Sequence, residues 1–274
     1  MINKKIGFIT VNYDQYQQTK EFLDSLNLLK NKENAWVYIA DVSSKKGLIN
    51  TKKYPFSITL EKKENKGYAF GVNCGLRFFL DKGVEQFCVV NNDILFDKDF
   101  LIKVEKTFEK ADIFGGKIYY AKGFEYHKNR YKKNELGKVL WYAGGGFDWD
   151  NALTFHRGVD EVDQGQYDNF EETEFITGCL FCFNKKVVET VDFWDESYFL
   201  YFEDADYCVR AKKKGFKLYY NPKIIIWHKN ALSTGGPGSF LHQKYQRKNR
   251  LIFGLKYAPF KTKIHLILNY LFSK

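Results

Sequence analysis

Short apolar runs, each ending on polar side chains, set the limits on what this chain can fold into. Residues 5–11 (KIGFITV) lead into Asn12-Tyr13-Asp14, residues 36–40 (WVYIA) into Asp41, and residues 86–90 (QFCVV) into Asn91-Asn92-Asp93. Apolar runs of this length without alternation suit strands covered on both faces. Between the first two, residues 18–29 carry Phe22, Leu26 and Leu29 at helical spacing. Strand, helix, strand predicts a right-handed crossover and a parallel sheet. In an open α/β sheet ligands bind beyond the carboxyl ends of the strands, which is where these polar residues fall.

Further elements follow. Residues 58–60 read as a short strand, and residues 65–75 (NKGYAFGVNCG) space Gly67, Gly71 and Gly75 four apart, with Asn73 among them and Arg77 beyond. This is not the G-x-G-x-x-G fingerprint, so a dinucleotide fold is not supported. The spacing puts the glycines on one face of a helix start, where backbone approaches a ligand or a neighbouring strand closely. Residues 97–110 read as a helix, 111–120 as a strand, 121–134 as a basic surface loop, 175–183 as a buried strand and 184–191 as a helix. The segment 141–158 (WYAGGGFDWDNALTFHRG) offers Trp141, Trp149, His156 and Arg157, either to an acceptor cleft or as cover for the sheet.

The stretch 193–228 gathers the most chemistry. Glu203, Asp204 and Asp206 open a helix that runs to Gly215, and a strand over 223–227 ends at His228. Each has an ordinary explanation: carboxylates cap helix starts, Asp206 and Arg210 form an i,i+4 pair, and histidines pack at strand ends. Their conjunction with Asp93 and Asp41 at other strand ends is what points to a shared site. An aspartate after a buried strand is an ordinary turn residue, yet also suits Mg²⁺ or Mn²⁺, which take oxygen ligands and leave room for substrate phosphates. A glycine-rich loop over 230–240 is placed to close over a ligand. Beyond it Lys244, Arg247, Lys248 and Arg250 lie on a basic helix, and the apolar tail 259–274 is too short to span a bilayer but long enough to lie in its interface.

Composition narrows the function. With 274 residues, 45% hydrophobic and 18% aromatic, the chain suits one sizeable domain or a domain with a small annex. Its net charge of +10 fits anionic membranes or phosphorylated ligands. The lysines are dispersed and outnumber the arginines, which argues against nucleic acid as the partner. Five cysteines form no disulfide framework, and the opening MINKKIGFITVNY has no signal-peptide core. A cytoplasmic chain with reduced thiols is therefore expected, with Cys179 and Cys182 as buried strand thiols.

These residues, in this order, resemble family 2 glycosyltransferases of the GT-A fold, in particular a bacterial rhamnosyltransferase-like branch of polysaccharide enzymes. The resemblance spans residue 6 to about 255. It rests on VNY at 11–13, Asp41, NKGYAFGVNCG at 65–75, NND at 91–93, GGGFDW at 144–149, TG at 177–178, FWDES at 193–197, YFEDADYCVR at 201–210, AKKKGFKLYYNP at 211–222, WHKNALST at 227–234 and KYQRKNR at 244–250. It implies a mixed, mostly parallel central sheet flanked by helices. Residues 1–258 would form the GT-A domain, with 1–115 the nucleotide-binding half, 116–258 the acceptor and catalytic half, and 259–274 a helical, amphipathic tail.

The resemblance also implies roles. Val11, Asn12, Tyr13, Asp41, Lys66, Gly67, Asn73, Asn91, Asn92 and Arg247 would bind the donor. Asp93 and His228 would hold a divalent Mn or Mg ion, although Asn91 stands where the family's metal motif carries its first carboxylate. Trp141, Gly145 and Glu203 would meet the acceptor, and Asp204 would be the general base, kept ionised by its helix dipole. The implied reaction is inverting transfer from dTDP-rhamnose or a UDP-hexose to a growing, lipid-linked cell-surface glycan of the capsule or O-antigen kind. It would take place in the cytoplasm or at the inner face of the cell membrane. Two other readings stand beside it: a non-catalytic nucleotide-sugar-binding partner subunit, and a nucleotidyltransferase, which should carry a glycine-rich signature that VNYDQYQ lacks.

Overall fold

Seven-residue β1 (Ile6–Asn12) is buried except for half-buried Val11, and α1 (Tyr16–Leu26) covers it with Phe22, Leu23 and Leu26. The computed structural model describes residues 5–230 and 240–272. Next come β2 (Ala35–Asp41), β3 (Ser57–Lys62), α2 (Tyr68–Asp81), β4 (Gln86–Val90), β5 (Ile94–Phe96), α3 (Phe100–Phe108) and β6 (Ile113–Tyr120). Then follow β7 (Leu140–Tyr142), β8 (Gly145–Asp148), β9 (Leu153–His156), β10 (Glu171–Thr173), β11 (Leu180–Asn184) and α4 (Lys185–Val191). Last are α5 (Glu203–Lys213), β12 (Leu218–His228), α6 (Phe240–Tyr257) and α7 (Phe260–Phe272).

A ten-stranded sheet runs in the order β10-β12-β6-β11-β4-β1-β2-β3, with β5 paired to β12 and β7 to β6. As expected, the long ladders are parallel: β1 with β2, β4 with β1, β2 with β3, and β12 with β6. β11 is antiparallel to both β4 and β6. Because β11 is reversed, its amino end and the carboxyl ends of β1, β2, β4, β6 and β12 meet along one edge. That edge is the ligand-binding edge of an open sheet.

Aromatic packing fixes the layers. Phe8, Phe22, Phe96 and Phe100 interlock under α1 and α3, while Phe181, Trp194 and Tyr207 pack α5 on the opposite face. Full burial of one such apolar side chain contributes roughly 1.5–3 kcal/mol. The glycine spacing serves close packing: Gly71 lies against Val11 and Ala40, and Gly75 against Ile9 and Tyr38. α2 therefore rests directly on β1 and β2.

Several boundaries differ from expectation, among them the first helix, which runs Tyr16–Leu26 rather than 18–29. The last strand starts at Leu218, not at residue 223, because the sheet accommodates Pro222 at a register irregularity between Asn221 and Ile225. A proline cannot donate to the ladder and is tolerated at such a bulge. The apolar run 175–183 splits: only Leu180–Asn184 is strand, and a turn closed by Leu180 N–H to Thr177 O carries residues 177–180. The third helix is shorter than 97–110, because the Asp97 carbonyl and side chain turn the chain ahead of Phe100. Gly215, at φ +88°, ends the α5 segment as expected. The glycine-rich loop over 230–240 falls almost wholly outside the described residues.

Candidate active site

At the carboxyl edge of the sheet lies a cleft of about 540 Å³. Val11, Tyr13 and Val42 line one part of it, Asn91, Asn92, Asp93 and His228 another, and Trp141 and His156 a third. Thr177, Gly178, Glu203 and Asp204 also line it, as do Leu241, Tyr245 and Gln246 of α6. Asp93, Asp204 and His228, far apart in sequence, thus face one opening.

Asp93 and His228 are in contact. His228 Nε2 is 3.2 Å from Asp93 Oδ1, and both side chains are more than nine-tenths buried. The β5–β12 ladder pairs His228 with Ile94, and the Lys229 N–H donates to the Asp93 carbonyl, which fixes the pair from the backbone. Trp141 stands edge-on to the imidazole at 4.6 Å. Burial presses the His228 pKa down, but the Cys179 thiol and the Asp93 carboxylate push it up more strongly, so it lies well above its ordinary value.

The second pair opens α5. Asp204 Oδ2 accepts from the Gly178 N–H at 2.8 Å, and Asp204 Oδ1 from the Ala205 N–H at 2.8 Å. Burial raises the Asp204 pKa, and the backbone donors only partly offset it. The expected stabilisation of the charged form by the helix start is thus opposed by burial. Glu203 is pushed further up, by burial and by the charge of Asp204, and its Oε2 has no hydrogen-bond partner. Burial thus raises both adjacent carboxyls, Glu203 the more strongly.

Other expected site residues take structural places. Asp41 is buried behind Val42, where it accepts from Asn12 Nδ2, the Ser43 hydroxyl and Tyr16 OH. Burial raises its pKa, but those hydrogen bonds outweigh it and hold the carboxyl below its ordinary value. Asn12 is fully buried beside it, so this pair lies beneath the surface next to Val11 and Val42 of the cleft lining. Asn92 lines the cleft but spends its amide on Asn12 Oδ1 and Thr19 Oγ1. Asn73 is turned away, bonded to the Trp194 backbone and to Glu196. Lys66 pairs with Glu64 outside the cleft, although its neighbours Asn65 and Gly67 line it. Gly145 bonds Thr173 and Phe175 and pins the β8–β9 hairpin, outside the cleft lining. Arg247 donates to the Tyr270 carbonyl and stacks on the Tyr270 ring, tying α6 to α7. Of the aromatic segment, Trp141 and His156 line the cleft, whereas Trp149 stacks on Phe147 and Phe253. Arg157 pairs with Glu171.

The cleft also holds residues that sequence reasoning did not place there. Tyr68 OH donates to Asn91 Oδ1 and to the Gly178 carbonyl, bridging the two halves of the site. Cys179, expected as a strand thiol, sits in the turn before β11 beside His228. Phe199 and Tyr245 stack at 4.8 Å on the α6 side. Buried His156 has its pKa pushed down to about 4, so it is neutral at pH 7. Its Nδ1–H donates to the Trp141 carbonyl, which leaves Nε2 as an acceptor.

A model of the family described as glycosyltransferase-like family 2 matches residues 85–254. The chain belongs to that family. It is 19% identical over 78% of its length to the low-salt glycan biosynthesis hexosyltransferase Agl10 of Haloferax volcanii, and 22% identical over 60% to the dTDP-rhamnosyl transferase RfbF of Shigella flexneri. It covers 63% and 49% of those two chains, less than two thirds of either. Among solved structures it resembles the Pyrobaculum calidifontis mannosyltransferase PcManGT in complex with GDP-Man and Mn²⁺ (TM-score 0.57, 14% identity, 98% of this chain and 70% of that one). It also resembles S. aureus TarS in complex with UDP (TM-score 0.60, 13% identity, 98% and 72%). The fold is the expected GT-A fold, a mixed, mostly parallel sheet flanked by helices.

For this family 2 chain the donor set at Asp93 and His228 fits a divalent cation. Asp93 Oδ1 is buried with no hydrogen-bond donor, beside an imidazole nitrogen and on the cleft wall. A carboxylate oxygen suits Mn²⁺ or Mg²⁺, and the imidazole beside it favours the transition-metal ion, Mn²⁺, of the two. Among the described residues no group of three or more His, Cys, Asp or Glu forms a cage. Asp93 and His228 would be the residues to hold such an ion, leaving its other coordination positions open.

Proposed function

We propose that the protein is an inverting, metal-dependent glycosyltransferase that moves a sugar from a nucleotide-sugar to a hydroxyl of a growing cell-surface glycan. The observation that carries this reading is the convergence of Asp93–His228 and Glu203–Asp204 on one cleft of a family 2 chain. Asp204 takes the proton of the acceptor hydroxyl as that oxygen attacks the anomeric carbon. The bond to the diphosphate breaks on the opposite face, which inverts the anomeric centre. A divalent ion held by Asp93 and His228 would neutralise charge on the departing diphosphate. Tyr13, Val11 and Val42 form the nucleoside end, and Trp141, His156 and Glu203 face the acceptor. On this reading residues 1–115 supply most donor contacts, and residues 116–258 the base and the acceptor wall.

The donor is read as dTDP-rhamnose or a UDP-hexose, and the acceptor as a lipid-linked glycan at the inner face of a bacterial cell membrane. Support for a membrane partner comes from α7. Thr262 and Leu266 pack against α6, while Phe260, Ile264, Ile267, Leu268 and Leu271 form a second, exposed stripe. Lysines at 261 and 263 flank it, which suits an anionic bilayer surface. No described helix is long and apolar enough to cross a membrane. Thermal-shift screening of UDP, dTDP, GDP and their sugars with and without Mn²⁺, followed by a transfer assay on the hits, tests the function. Mn²⁺-dependent binding with sugar transfer is expected; tight binding with neither transfer nor donor hydrolysis would leave only a binding subunit.

A further inference from the structure

The chain enters the Glu203–Asp204 pair through an unusual backbone. Tyr201 and Phe202 both lie at positive φ, +71° and +72°, a region that bulky L-residues avoid and that persists only where the surroundings over-determine it. The restraint comes from α6. Asn249, 0% exposed, donates from its single side-chain nitrogen to the Leu200 carbonyl at 2.7 Å and to the Tyr201 carbonyl at 3.0 Å. Its Oδ1 is buried with no partner, so these two donations are what the amide contributes. The Phe202 ring also packs on Phe253, one turn further along α6. Tyr257, a further turn on, donates to Asp206 Oδ1 at 2.7 Å.

We propose that Asn249 is a positioning residue: its two hydrogen bonds let α6 hold the Tyr201–Phe202 turn in the left-handed state that aims Asp204 at the cleft. The proposal rests on Asp204 being the base. Without the clamp, the two residues relax toward negative φ, the start of α5 swings, and the Asp204–Gly178 hydrogen bond is lost. The donor side does not depend on the clamp, since Tyr13, Asp93 and His228 stand on strand ends.

The test compares turnover with binding. Turnover is release of nucleoside diphosphate from whichever of dTDP-rhamnose or a UDP-hexose the wild type uses; binding is UDP or dTDP affinity with Mn²⁺. Asn249→Ala should lower kcat by about 10²-fold, as displacement of a reacting group by an ångström does, while nucleotide affinity stays within about twofold. Asn249→Asp keeps the shape but sets an acceptor against two carbonyls, and should lose at least as much. Adding Tyr201→Gly to Asn249→Ala should restore part of kcat, because glycine takes positive φ without strain. Should Asn249→Ala fail to fold, Asn249→Ser, which keeps one donor, is measured on the same readouts. Full turnover in Asn249→Asp, or additive losses in the double variant, would overturn the clamp. Full turnover in Asp204→Asn would instead overturn the base assignment itself.

Discussion

His228 Nε2 lies 3.2 Å from Asp93 Oδ1 at the carboxyl edge of the sheet, although one residue ends β12 and the other sits in the turn between β4 and β5. The β5–β12 register fixes the pair from the backbone, with Cys179 and the Trp141 ring packed beside the imidazole. Asp93→Asn and His228→Ala should therefore fold normally yet lose Mn²⁺-dependent nucleotide binding. The loss should exceed the roughly 10–100-fold typical of outer-shell partners. Calorimetric titration of UDP or dTDP with Mn²⁺ and with excess chelator measures it, and equal affinities in wild type and both variants would remove the pair from metal binding.

Asp204 is expected to act in turnover and not in donor capture. Asp204→Asn keeps the shape that accepts from Gly178 N–H and removes the basic oxygen, so kcat should fall by on the order of 10²–10⁴ with nucleotide affinity unchanged. Since burial raises the Asp204 pKa above its ordinary 3.8, the acidic limb of the wild-type kcat profile should lie above that value. A profile flat down to pH 4 would argue against a carboxylate base.

Glu203 should make stability depend on pH. Its carboxyl is held well above 4.5 by burial and by the neighbouring Asp204. The native state then keeps a proton that the unfolded chain has released, and stability falls as pH rises from 4.5 toward the native value. Glu203→Gln removes that slope. Tm measured against pH should decline through this window in wild type relative to the variant, with the variant at least as stable at neutral pH.

Gly67 packs the start of α2 against the segment before α5. It lies at φ +102°, a Cβ there would strike the Phe199 backbone, and the next N–H, of Tyr68, donates to the Phe199 carbonyl at 2.8 Å. Gly67→Ala should destabilise by at least about 1–3 kcal/mol, the cost of a strained backbone position. Urea unfolding checks this. A loss below about 0.5 kcal/mol, the range of surface substitutions, would show that the contact is not a rigid one.

What was legible in the sequence follows a physical division. Strand ends are marked locally, because an apolar run that stops at Asn or Asp reports both burial and the edge where it ends. Asn91, Asn92, Asp93 and His228 were found in this way. Where a polar side chain points is decided by neighbours far away in sequence. Asn73 looks like a ligand residue among its glycines, yet the nearest unsatisfied backbone groups are those of Trp194. Asp41 reads as a polar strand-end residue at the ligand-binding edge, yet Asn12, Tyr16 and Ser43 close over it. Arg247 finds the end of α7 rather than the cleft. Tyr201 and Phe202 carry no local sign of positive φ, since partners on α6, distant in sequence, bond and pack against them there.

The exposed stripe of α7 separates membrane attachment from folding. Leu266 is 4% exposed and packs against Gly254 of α6, so cutting off the whole helix would also disturb α6 and the residues it presents to the cleft. Ile267, Leu268 and Leu271 are 41%, 49% and 68% exposed and can be changed without touching that contact. Inserting a leucine or isoleucine side chain fully into lipid contributes roughly 1.5–3 kcal/mol. Replacing all three by serine should therefore weaken co-sedimentation with phosphatidylserine-containing vesicles by at least about 10²-fold, while Tm and nucleotide binding stay unchanged. Raising salt should weaken wild-type binding as the lysines are screened. Equal pelleting of wild type and variant, at either salt concentration, would detach this stripe from any membrane role.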